Sequence, residues 1–225
     1  MKPFVPALFL SLCCTTPALA LTVATCTEKL GCSCAGADAS LTLEDAALLV
    51  GSEPPSGIAD PVVVFAPGNA PAAWSVIPAN EVDILFGGNG SCTGPMIPED
   101  GVWTAKSRLN GISCGTGTAM MAAMLKGNLA REKPARVAWG GTFDPETYRK
   151  AWLAANPDPE SSKPTWKKHS KHSFSGDDRL EGLVSRYKME LLSPTLIRSD
   201  WQIEGTNAEG LCTWDITNFL SKTAD

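Results

Sequence analysis

The chain has 225 residues, of which 44% are hydrophobic and 19% charged, with a net charge of −5 at neutral pH. That length fits one domain comfortably and two small ones barely. The mildly acidic balance argues against a general nucleic-acid binder, which shows a basic patch; the one local exception is Lys163, Lys167, Lys168 and Lys171.

In chain order, Lys2 precedes an apolar run over residues 4–14, and Ala18-Leu19-Ala20 follows. A basic start, a short apolar core and a small-residue cleavage site predict an export signal over residues 1–20, cut after Ala20. The run is too short to span a bilayer, and no later segment approaches spanning length. The expectation is a soluble periplasmic or secreted protein, residues 21–225 forming one disulfide-containing domain. Cys13 and Cys14 leave with the signal, so Cys26, Cys32, Cys34, Cys92, Cys114 and Cys212 remain. An even count in an exported chain reads as disulfides, and six cysteines allow fifteen pairings. Cys92 and Cys114 flank one candidate strand and are expected to pair. Cys32 and Cys34 are too close to bond each other and are expected to pair elsewhere.

Residues 21–60 begin cysteine- and glycine-rich, and residues 21–40 are expected to be irregular. Thr42 and Asp45 form a capping box that opens a helix to Val50. Val62-Val63-Val64-Phe65 is a β-branched run and predicts a strand; residues 67–71 turn the chain, and residues 82–86 suggest another strand. Residues 102–109 alternate as a half-exposed strand. A helix is predicted over 118–131, with Met120, Met121, Met124, Leu125 and Leu129 near one face. Residues 136–143 return to alternation, with Val137, Trp139 and Phe143 on one side. Asp144-Pro145-Glu146 is a strong helix start, and that helix runs to about Asn156. Residues 156–178 are polar and read as a mobile loop.

The most regular stretch is residues 183–220, which predicts three antiparallel strands. Leu183, Tyr187, Met189 and Leu191 share one face of the first, against Arg186, Lys188 and Glu190. Ile197, Trp201 and Ile203 oppose Arg198, Asp200, Gln202 and Glu204 in the second. Cys212, Trp214 and Ile216 oppose Thr213, Asp215 and Thr217 in the third. Half-buried alternation suits an antiparallel meander. The expected fold is therefore α+β: a curved, mostly antiparallel sheet of six or seven strands packed against two or three helices.

Three chemistries have candidate residues. Gly111-Ile112-Ser113-Cys114-Gly115 matches G-x-S-x-G between a predicted strand and a predicted helix, where a nucleophile elbow belongs. Asp144 or Asp158, then His169 or His172, would complete a serine hydrolase; the plainer reading is a glycine-rich turn, since the preceding strand carries Lys106 and Arg108. His169 and His172 with Asp177 and Asp178 offer few metal ligands beside Lys168 and Lys171. A soft-metal set of Met120, Met121 and Met124 with Cys32 and Cys34 would require reduced thiols. No metal or other cofactor is therefore implied. The leading expectation is a non-enzymatic protein that binds an apolar or amphipathic small molecule or lipid. Met120, Met124, Trp139, Tyr187, Trp201 and Trp214 are the candidate lining. The alternatives are the Ser113 hydrolase and an envelope structural or interaction protein with a filled core.

Overall fold

The computed structural model describes residues 21–27, 29–35, 41–58, 60–66, 71–94, 96–129, 133–157, 162–180, 182–207 and 210–225. The export signal expected over residues 1–20, the turn residues 67–70, Arg131 and Asp158 lie outside the described residues. The fold is mixed α+β, and its main sheet is the curved antiparallel one that the alternation of residues 183–220 implies.

The small sheet comes first. Strands β1 (Thr22–Thr27), β2 (Gly31–Ala35), β3 (Val62–Phe65) and β4 (Ala73–Ser75) lie in the order β2-β1-β3-β4. Within the stretch expected to be irregular, β1 and β2 pair antiparallel, pinned where Cys26 faces Cys32 across the two strands, while residues 28 and 36–40 lie outside the described residues. Helix α1 (Leu43–Val50) starts as its capping box dictates: the Asp45 amide donates to Thr42 Oγ1 at 3.2 Å, and the Thr42 amide to Asp45 Oδ2 at 3.0 Å. Residues 82–86 are not a strand but belong to helix α2 (Ala79–Leu85) and its C-cap Phe86. A short apolar run does not choose between helix and strand by periodicity. Here Asp83 decides it, because its carboxylate turns inward. It accepts the amides of Cys32, of Gly90 at 2.8 Å and of Cys92 at 3.4 Å. A Cβ at Gly88 would collide with that carboxylate.

Strand β5 (Gly101–Ser113) begins the large sheet. Helix α3 (Thr118–Leu129), strand β6 (Ala135–Val137) and helix α4 (Pro145–Ala155) follow. The expected loop over 156–178 instead contains a hairpin of β7 (Thr165–Lys168) and β8 (Ser173–Leu180). Lys167 and Lys168 are consecutive on this edge strand and so fall on opposite faces, Lys168 Nζ lying 5.6 Å over the Phe174 ring; charge on the edge guards against edge-to-edge pairing and masks the alternation of Trp166, Phe174 and Gly176. The meander β9 (Leu183–Ser193), β10 (Leu196–Asn207) and β11 (Gly210–Ala224) completes an antiparallel sheet in the order β6-β5-β11-β10-β9-β8-β7. The expected Cys92–Cys114 bond is not formed: Cys34 pairs with Cys92, and Cys114 with Cys212. Cys92 belongs beside the small sheet, where Ser33 bridges to Thr93. Cys114 directly follows β5 next to β11, where Ser113 is in register with Thr213. On the chain-entropy view a bond closing 98 residues stabilises by about 4.7 kcal/mol. Among the described residues, no helix is long and apolar enough to cross a membrane.

The two faces of the large sheet meet different neighbours. On the outer face, Leu192, Leu196 and Phe219 join Val23 and Val63 of the small sheet and Ala46 and Leu49 of α1 in one core. Charges are buried there too. Asp45, fully buried, contacts Arg108 at 2.6 Å and Arg198 at 3.5 Å. Arg198 also pairs with Asp200 at 2.9 Å, and Lys106 donates to the Leu49 carbonyl near the C-terminus of α1 at 3.1 Å. On the inner face, Trp103, Leu191, Ile197 and Leu220 pack with Trp139, Phe143 and Phe174.

Candidate functional site

Ala105 on β5 and Trp166 on β7 line the same cavity although β11, β10, β9 and β8 separate their strands. The sheet therefore curls around this space, which measures about 370 Å³. Helices α3 and α4 close its other side through Leu129, Tyr148, Trp152 and Leu153. Position explains which side chains arrive there. Tyr187, Met189, Ser199, Trp201, Asn218 and Leu220 all sit on the inward face of the three meander strands. Tyr187 and Trp201 are direct register partners, their rings edge-to-face at 5.8 Å, and Trp166 lies 6.0 Å from Tyr187. Trp166 rests on Gly176, where a Cβ would come within 2.7 Å of the indole.

The walls are mostly apolar, but polar groups stand at two levels. At the rim, Lys133 Nζ lies 5.4 Å above the Trp152 ring, a cation–π distance. Arg149 is bound to Glu146 at 2.6 Å and to the Ser162 carbonyl at 3.3 Å. The Arg149 hydrogen bonds hold the Glu146 carboxyl below its ordinary value against the opposing effect of burial. Burial raises the Asp178 carboxyl, but hydrogen bonds from Ser162 and from the Lys163 and Arg179 amides, with the Arg149 charge, bring it below normal. The Tyr187 hydroxyl donates to Ser162 Oγ at 2.8 Å, tying the segment before β7 to β9. Burial pushes the Tyr148 phenol well above its ordinary value.

At the floor, Ser107, Asn218 and Ser199 form a row across β5, β11 and β10. Ser107 donates to Asn218 Oδ1 at 2.6 Å, Asn218 Nδ2 to the Ser199 carbonyl at 3.4 Å, and Trp201 Nε1 to Ser199 Oγ at 2.7 Å. The row lies between two apolar rows, Ala105–Leu220–Ile197 on one side and Leu109–Ile216–Trp201 on the other.

Of the residues expected to line a ligand site, Tyr187 and Trp201 line this cavity. Trp139 is buried in the neighbouring aromatic core, 5.5 Å from Trp103 and stacked on Tyr148 at 6.5 Å. Trp214 is half-buried further along β11, opposite Ile203. Met120 and Met124 are 67% and 58% exposed on the outer side of α3, whereas Met121, Leu125 and Leu129 turn inward, half-buried. The sequence did not single out Ser107, Ser199, Asn218, Trp152 or Trp166 as a group. A small polar residue in the middle of the inward apolar face of each of three strands is the available signal, and it needs the strand pairing to be seen.

The hydrolase candidates are dispersed. Ser113 ends β5, exposed. His169 and His172 lie at the β7–β8 turn, with β11, β10 and β9 between β5 and β8. His169 Nε2 is 2.7 Å from Ser175 Oγ. Asp144 is the N-cap of α4, bonded to the Glu146 amide at 3.0 Å. Cys32 and Cys34 are both in disulfides, and the described residues hold no cluster of three or more His, Cys, Asp or Glu that could take a metal. No protein-family model, curated protein or solved structure matches this chain, so the cavity and its lining carry the functional reading.

Proposed function

We propose that this protein is an exported, non-enzymatic binder of an apolar or amphipathic small molecule or lipid, held between the curled sheet and helices α3 and α4. The observation that carries the reading is the cavity of about 370 Å³, within the range of small-molecule sites. Its aromatics support the same reading. Trp152, Trp166, Tyr187 and Trp201 point at the cavity yet stay only half-buried. In a filled core such rings would be covered, and aromatic surface left open in a concavity is the usual mark of a binding site. Export is supported by the N-terminal pattern and by the three disulfides, which persist in oxidising compartments.

The test is titration with N-phenyl-1-naphthylamine, an apolar dye that brightens in a dry site. The expected result is a saturable one-to-one rise, weakened by about tenfold or more in Trp201→Ala and in Leu153→Arg. A non-saturating rise, or equal binding by both variants, contradicts the reading.

A further inference from the structure

We propose that the cavity floor seats an oxygen acceptor of the ligand, a carbonyl or carboxylate oxygen, on Ser199 and Asn218. This rests on the cavity being a ligand site and adds which chemistry that ligand must carry. The Ser199 carbonyl can only accept, so the Asn218 amide must turn Nδ2 toward it and Oδ1 toward the Ser107 hydroxyl. The second hydrogen on Asn218 Nδ2 is then left over. The Trp201 indole can only donate, so Ser199 Oγ accepts and its own hydrogen points elsewhere. Among the described residues neither hydrogen has a partner.

Both side chains line the cavity, and their residues are only 2% and 3% exposed. Ser199 and Asn218 are direct register partners on β10 and β11, close enough for two donors to converge on one atom. Buried donors without acceptors are costly, and a wholly apolar ligand would seal them dry. An oxygen placed there satisfies both, while the apolar rows on either side hold the hydrocarbon attached to it. A ligand ammonium is disfavoured twice, by the donors at the floor and by Lys133 at the rim.

The experiment titrates the disulfide-intact protein with 2-decanone, decanoate and 1-chlorodecane, read by tryptophan fluorescence. One or both of the oxygen compounds should bind roughly fivefold or more tightly than 1-chlorodecane. Decanoate exceeding 2-decanone assigns the seat to a carboxylate, and the reverse order to a neutral carbonyl. Asn218→Leu and Ser199→Ala should each pull the ratio toward one, with near-UV circular dichroism reporting whether the tryptophan packing survives. Equal affinities in the native protein, or a ratio that persists in both variants, overturns the seat. Saturable dye binding with no binding of the three decyl compounds also overturns the seat but leaves the cavity reading standing; loss of dye binding as well brings down both.

Discussion

The outer and inner faces of the large sheet are written by alternate residues of the same strands, yet they are completed differently. Outside, Arg108 and Arg198 are committed to Asp45, and Phe219, Leu192 and Leu196 are sealed under α1 and the small sheet. Inside, Ser107, Ser199 and Trp201 alternate with those residues, and α3 and α4 leave about 370 Å³ open above them. The outer face is finished by the chain itself; the inner face is held open by it. Charge burial belongs where every partner is supplied internally, and on the proposed reading the half-covered aromatics await a partner from outside.

Removing Asp45 should break the outer face most severely. Asp45→Ala strips two arginines of their buried partner and deletes half of the capping box of α1, and should cost about 3–5 kcal/mol in urea unfolding. Asp83→Ala should cost about 1–3 kcal/mol, because it orphans the buried amides gathered on that carboxylate. Asp83 is held below its ordinary value of 3.8, first by the Cys32 amide, with burial opposing and the Gly90, Cys92 and Ser91 amides assisting. A depressed folded value means its contribution is present above the unfolded value and fades as pH falls below 3.8 through the folded one. The Asp83→Ala variant should therefore lose less stability than the native protein across that acid range. On the inner face, Gly176→Ala should lift Trp166 off β8 for about 1–2 kcal/mol and weaken dye binding more than it weakens the fold. Met120→Ser and Met124→Ser, on the open side of α3, should change unfolding by no more than about 0.5 kcal/mol and leave dye binding alone. Dye binding reduced by the methionine variants would mean that the groove extends over the outer side of α3.

Alternation made the meander legible. Residues 183–220 form three paired strands with the expected inward face, and Thr42 and Asp144 cap the expected helices. The errors came from segments whose pattern is set by distant contacts. Residues 82–86 look like a strand until Asp83 is seen gathering amides from β2 and the following loop. The β7–β8 hairpin looks like a loop because lysines fall on both faces of β7 and histidines stand in its turn. Disulfide partners followed strand adjacency in space, so closeness in sequence misled for Cys92 and Cys114. The site was half legible. Tyr187 and Trp201 follow from alternation, but Trp166 reaches the cavity because the sheet curls and Trp152 because α4 packs over it. Met120 and Met124 were misplaced because α3 is apolar on several sides, and a methionine stripe does not say which side is covered.

The measurement that tests ligand binding most directly is native mass spectrometry of the protein purified from its own host with disulfides intact, before and after denaturation. The account predicts a reproducible extra mass that departs on denaturation and is absent from Trp201→Ala. A bare chain mass, together with no adduct after incubation with N-phenyl-1-naphthylamine, decanoate or 2-decanone, would contradict it.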